Sequence, residues 1–238
     1  MKILALDTSS KYISIAIAED AKAIASVHKE ADQMQCEQLL PQIDKMLKKA
    51  RLGLNDIGCI VFSKGPGSLT SLRIGAATVK GLAFSRKIKI AGVPTLDVIA
   101  QEICNGDTLL TAGCPRSSQP RYLIVPIVDA RRGNVYCSIF SSRGGKLARK
   151  MKYSVIPVAE LLKSIKGDTI FTGDGLVAYG QYIRDNFKYK AEFAPEKYWY
   201  PRAEVVAKLG YELIKKKQFE DPDKFVPLYV YPKDVQVR

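Results

Sequence analysis

The amino-acid sequence predicts an α/β protein with two lobes, because one order of elements occurs twice along its 238 residues. Each half begins with strands that form a meander and continues with a helix, a strand and a second helix. The halves share no visible sequence identity, so the duplicated order alone indicates two similar lobes. We expect a first lobe over 1–104 and a second over 105–238, with a last helix able to pack back on the first lobe.

The beginning of the chain predicts three strands. An apolar run over 3–6 ends at Asp7, and isoleucine alternates with smaller or polar residues over 12–18, the period of two that marks a strand. Residues 21–28 continue this pattern after a turn at Asp20. The turn between the first two strands makes them a hairpin.

Three helices are expected in the first half. A second helix over 69–84 is rich in small residues, which let another helix approach closely, and it lies between strands predicted over 57–62 and 88–93. A further helix begins at Thr95. The first helix spans 34–50, and its apolar residues recur with helical spacing: Cys36, Leu39, Leu40, Ile43, Leu47 and Ala50.

Residues 105–121 interrupt the pattern, because Gly, Pro and Ser are frequent there. We interpret this segment as an inter-lobe connection or an insertion, and we expect it to be mobile. The elements predicted after it are strands over 122–129, 134–140 and 146–155, a helix over 157–165, a strand over 169–172, and helices over 177–187 and 203–216.

Composition limits the class of protein. No apolar run approaches the roughly 20 residues that span a bilayer, and the N-terminus lacks the features of a signal peptide, so we expect a cytoplasmic protein with no membrane contact. The five cysteines are scattered without a C-x-x-C pair, which indicates neither a zinc site nor a disulfide framework. Cys59 and Cys137 lie in apolar runs and are expected in the core.

The net charge is +13, from 37 Lys and Arg against 24 Asp and Glu. Such an excess attracts polyanions and makes proximity to RNA plausible without defining a site. Two local clusters contribute, and each is either a solvated face or an RNA contact: Arg143, Lys146, Arg149, Lys150 and Lys152, and Lys215, Lys216 and Lys217.

Motifs for several enzyme classes are missing. The chain contains neither the G-x-x-x-x-G-K-[ST] loop of nucleotide hydrolases nor the G-x-S-x-G turn of hydrolases. Its single histidine, His28, cannot form a two-histidine metal site within one chain, and its position at the end of a strand indicates a surface or packing role. We therefore expect no metal, no cofactor and no catalytic residue.

Three segments carry residues suited to binding an anion. Asp7, Thr8 and Ser9 form a turn that can present oxygens and N–H groups to a phosphate, although the same residues are common turn formers. In the second segment, Gly67 and Ser68 lead into a helix whose free N–H groups favour an anion, with Ser68 as its N-cap; a capped turn without ligand is the alternative.

The third segment is a predicted strand-to-strand turn. Arg131 and Arg132 lie within Asp129-Ala130-Arg131-Arg132-Gly133, where two guanidinium groups can clamp a phosphate or a carboxylate. An exposed basic turn is the alternative.

These three segments, in this order and spacing, resemble the TsaB (YeaZ) family. The similarity extends over most of the chain, and the runs 65–75 and 129–136 are its most specific parts. The chain departs from the family pattern at three places. Gln35, Cys36 and Glu37 stand where His-Ser-Glu is frequent, 69–71 reads Leu-Thr-Ser where Phe-Thr-Gly is common, and the stretch 105–121 is long.

The resemblance implies a fold of the actin/Hsp70/sugar-kinase type and a non-catalytic homologue of the threonylcarbamoyltransferase TsaD. Such a subunit supports formation of N6-threonylcarbamoyladenosine at position 37 of tRNAs that read ANN codons. It implies a heterodimer with TsaD, the ATPase TsaE docked at their junction, and a homodimer when the chain is alone. The first two helices would pack on the matching pair of TsaD. We expect residues on and beside the apolar stripes to reach that partner: Glu37, Leu40, Ile43, Leu47, Leu72, Arg73, Ala76 and Val79. The alternative is that both stripes cover the sheet of their own lobe, and this must hold in part because each helix needs one buried face.

Two other classes of function stay open from the residues. A stand-alone phosphotransferase would use Asp7 and an acid of the second lobe on a metal, and a peptidase would need a nucleophile and a base that the sequence does not indicate. A free RNA-binding protein would use the positive charge and would bind tRNA without a partner, with strong dependence on salt.

Overall fold

The computed structural model describes residues 1–31, 35–105, 122–143 and 146–230. In chain order, the strands are β1 (Lys2–Asp7), β2 (Tyr12–Glu19), β3 (Lys22–Glu30), β4 (Cys59–Ser63), β5 (Lys89–Val93), β6 (Leu123–Asp129), β7 (Asn134–Cys137), β8 (Phe140–Arg143), β9 (Lys146–Arg149), β10 (Ser154–Pro157), β11 (Thr169–Thr172) and β12 (Ala191–Phe193). The α-helices are α1 (Gln35–Lys49), α2 (Leu69–Arg86), α3 (Thr95–Asn105), α4 (Val158–Ser164), α5 (Gly175–Asn186) and α6 (Ala203–Lys215).

The chain forms two compact units. Unit 1 consists of Met1–Val98 and Pro201–Leu228, and unit 2 consists of Ile99–Tyr200 with residues 229–230. These bounds differ from the expected 1–104 and 105–238 in two places. The chain passes from unit 1 to unit 2 inside α3, and the segment that contains α6 lies in unit 1, against β1 and β2.

Unit 1 is built on a five-stranded sheet with the order β3-β2-β1-β4-β5. The hairpin β1–β2 is antiparallel, as its alternating sequence predicts, and β1, β4 and β5 are parallel. Side chains alternate between the two faces of the strands. One face packs its larger residues, such as Leu4, Leu6 and Phe62, against α1 and α2, and the other packs Ala5 and its neighbours against α6.

The contact between α6 and the sheet is close because of a glycine. A Cβ atom on Gly210 would overlap the side chain of Val61 on β4. At the other end of the helix, the N–H of Ala203 donates a hydrogen bond of 2.8 Å to the hydroxyl of Ser14 on β2. The residues on β2 and β4 therefore position a helix that follows them by well over a hundred residues in sequence.

Unit 2 contains a second mixed sheet. Its central order is β10-β7-β6-β11-β12, in which β6, β11 and β12 are parallel, and β8 and β9 extend from β6 as an antiparallel pair. Val125, Ile127 and Phe171 fill its core together with α4 and α5. The parallel strands β6 and β11 bring their C-terminal ends together at one edge.

Two of the expected strands in unit 2 are wrong in extent. The run 134–140 forms β7 and β8, and the run 146–155 forms β9 and β10. The hydroxyl of Ser138 donates to the carbonyl of Met151 at 2.6 Å, and the N–H of Lys150 donates to the carbonyl of Ile139. These bonds hold a corner between β9, which pairs with β8, and β10, which pairs with β7, and no local sequence pattern marks it.

The prediction for the two core cysteines is confirmed. Cys59 and Cys137 are fully buried, and burial raises the pKa of each thiol to about 12. The predicted mobile segment, apart from Asn105, lies outside the described residues. Among the described residues, none of the helices combines the length and apolar character that crossing a membrane requires.

Candidate functional site

Asp7 ends β1 inside unit 1 with no solvent exposure. Its carboxylate accepts hydrogen bonds from the N–H of Ser9 at 3.0 Å and from the Ser9 hydroxyl at 2.9 Å. Burial raises the pKa of Asp7 to about 6, while hydrogen bonds from Ser63 and Ser9 act in the opposite direction. The turn after β1 is thus closed by its own carboxylate.

The loop before α2 lies directly on this turn. The N–H of Ser68 donates to the Ser9 carbonyl at 2.7 Å, and a Cβ atom on Gly67 would overlap that carbonyl oxygen. The hydroxyl of Thr8 donates to the carbonyl of Ser71 at 2.9 Å, beneath the first turn of α2. The structure therefore brings Asp7, Thr8, Ser9, Gly67 and Ser68 together, and it engages much of their hydrogen-bonding capacity within the chain. Phosphate binding by them stays a prediction.

The capping prediction for Ser68 is wrong in one respect. Ser68 occupies the N-cap position of α2, but its side chain forms no capping hydrogen bond. Its hydroxyl instead lies 3.0 Å from the hydroxyl of Ser71. The helix begins through the backbone, where the N–H of Leu72 donates to the carbonyl of Ser68.

Sequence reasoning missed the residues that hold this loop from the other side. The Thr95 hydroxyl lies 2.8 Å from the Ser63 hydroxyl and accepts a hydrogen bond from the N–H of Gly65 at 3.0 Å. Lys64 forms an ion pair of 2.6 Å with Glu220. The sequence marks Thr95 only as the start of a helix, and nothing local pairs Lys64 with a residue so distant in sequence.

Unit 2 has a comparable corner at the ends of β6 and β11. The N–H of Asp129 donates to a carboxylate oxygen of Asp174 at 3.3 Å, and the hydroxyl of Tyr179 donates to Asp129 at 3.3 Å. Burial raises the pKa of Asp174 to about 6. Gly173, with a φ of 104°, lies against the carbonyl of Ile127, where a Cβ atom would overlap. Sequence reasoning did not select Asp174 or Tyr179 as site residues.

The two arginines predicted to clamp a phosphate lie in the turn after β6. Arg131 and Arg132 both have left-handed backbone, with φ of 67° and 52°. The guanidinium of Arg131 is 87% exposed and lies 3.4 Å from the carboxylate of Asp129. Arg132 is also exposed. Anion binding by this pair stays a prediction, and Asp129 would compete for Arg131.

His28 packs in the sheet edge of unit 1. Its ring stacks on the ring of Tyr12 with centroids 4.5 Å apart, and burial lowers the pKa of the imidazole to about 4. This agrees with the packing role expected from its strand position. Within the described ranges, no three His, Cys, Asp or Glu side chains are grouped to hold a metal ion.

The predicted partner surface on α1 and α2 divides into buried and exposed residues. Glu37, Leu40 and Arg73 are exposed, and Leu40 exposes 53% of its surface. The other five side chains are buried in the core of unit 1, because each helix needs one face against the sheet: Ile43, Leu47, Leu72, Ala76 and Val79. The chain itself thus uses these five, and a partner surface has to be built from other side chains.

Two further apolar side chains on α2 are exposed. Leu69 exposes 41% of its surface and Phe84 exposes 84%, and Ala77 and Gly81 lie exposed between them. No atom lies within 4 Å of the position that a Cβ on Gly81 would take. Helical spacing places Phe84 away from the buried stripe, and this is the signal that would have selected it. We refer to Leu40, Leu69, Ala77, Gly81 and Phe84 as the exposed α1–α2 set.

Comparison with known proteins identifies the family. The family model described as TsaD, tRNA N6-adenosine threonylcarbamoyltransferase, matches residues 24–237. The chain belongs to the TsaD family. Among curated relatives, the chain is 29% identical over 233 residues to the tRNA threonylcarbamoyladenosine biosynthesis protein TsaB of Bacillus subtilis, with 97% of this chain and 94% of that protein covered.

Other members of the TsaD family are similar over a smaller part. The TsaB of Escherichia coli is 28% identical over 188 residues, with 75% of this chain and 74% of that protein covered. A Brachyspira hyodysenteriae protein named tRNA N6-adenosine threonylcarbamoyltransferase is 41% identical over 101 residues, which is 36% of this chain and 30% of that protein.

A solved structure of a YeaZ-like protein from Pseudomonas aeruginosa shares the fold. It has a TM-score of 0.78 and 22% identity, with 97% of this chain and 99% of that chain covered. The resemblance to the TsaB (YeaZ) branch is therefore confirmed. The expected α/β fold, with two mixed sheets flanked by helices, is confirmed as well.

Proposed function

We propose that this chain is a non-catalytic cytoplasmic subunit in the formation of N6-threonylcarbamoyladenosine at position 37 of tRNAs that read ANN codons. It acts as scaffold and activator of a TsaD-type catalytic subunit, together with the ATPase TsaE docked at their junction. The names of its TsaB relatives and the match to the TsaD family model support a role in this pathway.

The observation that carries the proposal is the exposed α1–α2 set. Leu40 and Phe84 expose apolar surface on neighbouring helices, which pack against each other in unit 1. Full burial of such a side chain is worth about 2 to 3 kcal/mol. The small residues Ala77 and Gly81 allow a second helix to approach α2 closely. A matching pair of helices on a TsaD-type subunit, which has the same fold family, is the partner that these features suit.

Without that partner, a second copy of this chain can cover the same surface, since a two-fold interface uses one patch on both subunits. The proposal therefore includes a homodimer of the isolated chain and an exchange to the heterodimer when TsaD is present. Both complexes would bury Phe84.

Two features support a subunit without chemistry of its own. The carboxylate of Asp7 is fully buried and bonded to Ser9, and the loop at Gly67 lies directly on that turn. The single histidine stacks on Tyr12 inside a sheet edge. Within unit 1, neither the Asp7 carboxylate nor the His28 imidazole is positioned to contact a substrate.

Reconstitution tests the function. TsaD, TsaE and a tRNA transcript reading an ANN codon are incubated with ATP, threonine, bicarbonate and the enzyme that makes threonylcarbamoyl-adenylate, with and without this chain. Modified nucleoside is measured by mass spectrometry after digestion of the tRNA. We expect modification only when the chain is present. Modification by the chain without TsaD, or full modification without the chain, would contradict the proposal.

Co-elution tests the surface. Phe84→Ser and Leu40→Ser remove apolar contact from α2 and α1 without touching the core, whereas a charge at Leu72, which is 2% exposed, would disrupt unit 1 itself. We expect both variants to lose co-elution with TsaD. Val177→Ser on α5, a 74% exposed residue of unit 2, is the matched control and should co-elute normally. Normal co-elution of all three variants would exclude this surface.

A further inference from the structure

Three helices of unit 1 end where the parallel strands of its sheet begin, and we refer to this side of the sheet as one edge. The register pairs Ile3 with Cys59 and Cys59 with Lys89, so the N-terminal ends of β1, β4 and β5 meet there. The ends of α1 and α2 lead into β4 and β5, which places both helix C-termini at this edge. The helix α6 starts beside Ser14 at the opposite edge and is followed by Phe219, whose ring lies 4.6 Å from the ammonium of Lys89.

All three helices end in the same backbone motif. A backbone N–H two or three residues beyond the last helical residue donates to a carbonyl five residues before it, from Leu52 to Leu47, from Ile88 to Ala83 and from Gln218 to Leu213, at 2.9 to 3.0 Å. This motif places the residue before each donor in the left-handed conformation, a position that glycine usually occupies. The residues found there are Arg51, Lys87 and Lys217, with φ of 56°, 55° and 55°.

Further exposed cations lie beside these three. We call the whole group the basic edge, and it consists of Lys49, Arg51, Arg86, Lys87, Lys89, Lys216 and Lys217. Acidic residues of the same region are engaged elsewhere, since Glu19 pairs with Lys2, Asp44 with Lys48 and Glu212 with Lys215. In the part of the chain that the structure describes, none of the seven forms an ion pair.

Stabilisation of helix ends accounts for only part of this charge. The helix dipole favours a cation in the last turn, which explains Lys49 and Arg86. It does not explain why Arg51, Lys87 and Lys217 replace glycine at left-handed positions, where a side chain is disfavoured. Lys89 belongs to a strand and is not explained by a helix end. All three left-handed positions carry a cation although glycine would suit the backbone better, and this indicates that the positive charge has a function.

We propose that the basic edge binds the phosphate backbone of RNA. A row of lysine and arginine side chains contacts phosphates and positions a nucleic acid without reading its bases. The edge of a five-stranded sheet is about 20 Å wide, enough for several successive phosphates. In two of the three motifs the donor residue is apolar and packs inward, Leu52 against the core and Ile88 with 6% exposure, whereas surfaces that enter a membrane turn apolar residues outward.

The RNA that binds the basic edge is tRNA, and this assignment rests on the proposed function. The inference goes further than that function, because it assigns a substrate contact to the subunit that carries no chemistry. It places this contact on unit 1, at the ends of the strands opposite Asp7.

The test uses Arg51→Gly/Lys87→Gly/Lys217→Gly in the full chain. Glycine suits these three positions, so the variant should fold at least as well as the parent, which its melting temperature checks. Binding of a tRNA transcript is measured at several salt concentrations. We expect affinity at low salt to fall by about tenfold or more, and the slope of log affinity against log salt to decrease in magnitude by about 2 to 3. The charge-matched control is Lys163→Gln/Lys166→Gln/Lys188→Gln, on the exposed surface of unit 2.

Equal losses in the triple-glycine variant and in the control would overturn the proposal, because the net charge alone would then explain binding. Unchanged RNA affinity with lost binding to vesicles of phosphatidylserine and phosphatidylcholine would overturn it in favour of a membrane surface. Co-elution with TsaD is measured on the same variant and should be unchanged. A parent chain that co-elutes with TsaD but does not bind tRNA overturns this inference alone, whereas a parent chain that does not co-elute overturns the proposed function.

Discussion

The ring of Phe225 packs edge-on against the ring of Phe62, with centroids 5.9 Å apart. Phe62 lies on β4, the strand between β1 and β5, and Phe225 belongs to the last described segment of unit 1. In the same segment, the N–H of Leu228 donates to the carbonyl of Lys64, and Glu220 forms an ion pair with Lys64. The segment after α6 thus holds the strand from which the Gly65–Pro66–Gly67 loop begins.

Phe225→Ala should destabilise unit 1 strongly. Phe225 is 2% exposed, and removing a buried phenylalanine ring costs about 3 to 5 kcal/mol through lost burial and the cavity left behind. Urea unfolding followed by circular dichroism measures the change. Val226→Ala, at a neighbouring residue with 59% exposure, is the control and should change the free energy of unfolding by about 0.5 kcal/mol or less. Equal effects of the two changes would contradict the packing described.

Local sequence patterns predicted much of unit 1 because their causes are local. The alternation over 12–18 and the helical stripe that includes Leu39 and Ile43 each reflect a single buried face, and the strand and helix were found within a few residues of their predicted bounds. A stripe shows that a helix has a covered face without showing what covers it. For this reason Ile43 and Leu72 were assigned to a partner, although the sheet of unit 1 covers them.

The parts that the sequence did not predict depend on contacts between distant residues. Lys64 and Glu220 are separated by 156 positions, and no sequence pattern indicates that they form a pair. Likewise, the turn residues at Asp129 are recognisable in the sequence, but their connection to Asp174 and Tyr179 depends on the parallel pairing of β6 with β11. The residue types in the sequence indicated the candidate phosphate-binding residues, but they did not indicate the hydrogen bonds among them.

Gly67→Ala should separate the loop before α2 from the turn after β1. The added Cβ would overlap the carbonyl oxygen of Ser9, which accepts the bond from the Ser68 N–H. Such overpacking against backbone costs about 1 to 3 kcal/mol, and the free energy of unfolding in urea should fall by that amount.

The matched control for that change is Gly81→Ala, which lies inside α2 with open space around the new atom. Alanine favours a helix over glycine by about 1 kcal/mol, so this variant should be more stable than the parent chain. The same change from glycine to alanine should therefore lower the free energy of unfolding at Gly67 and raise it at Gly81. A stabilising Gly67→Ala would show that the loop does not lie on Ser9.

Asp7 should make unit 1 less stable as the pH rises through weakly acidic values. Burial raises its pKa from 3.8 to about 6, so the folded protein binds the proton more tightly than the unfolded chain. This contribution, on the order of 3 kcal/mol, is complete below about pH 3.8 and is lost as the pH rises through about 6. His28 acts in the opposite direction, since its lowered pKa of about 4 makes stability increase between about pH 4 and pH 6.5.

Asp7→Asn isolates the effect of the carboxyl group, because the amide stays neutral and His28 is unchanged. The free energy of unfolding of the variant, minus that of the parent, should increase between pH 4 and pH 7. Urea titrations at intermediate pH values measure it. Asp185→Asn makes the same chemical change on the exposed side of α5 and is the control. An identical pH course for both variants would be inconsistent with a buried proton at Asp7.

Lys87→Gly should increase stability even though it removes a charge at the end of a helix. Lys87 has a φ of 55°, and a left-handed residue with a side chain is less favourable than glycine by about 1 kcal/mol. Lys87→Ala removes the same ammonium group but keeps the Cβ atom, so it should show no such gain. Melting temperatures of the three proteins in low salt distinguish the two effects. If alanine and glycine stabilise equally, the relief comes from reduced repulsion among the cations of the basic edge, and backbone strain at this position is not its source.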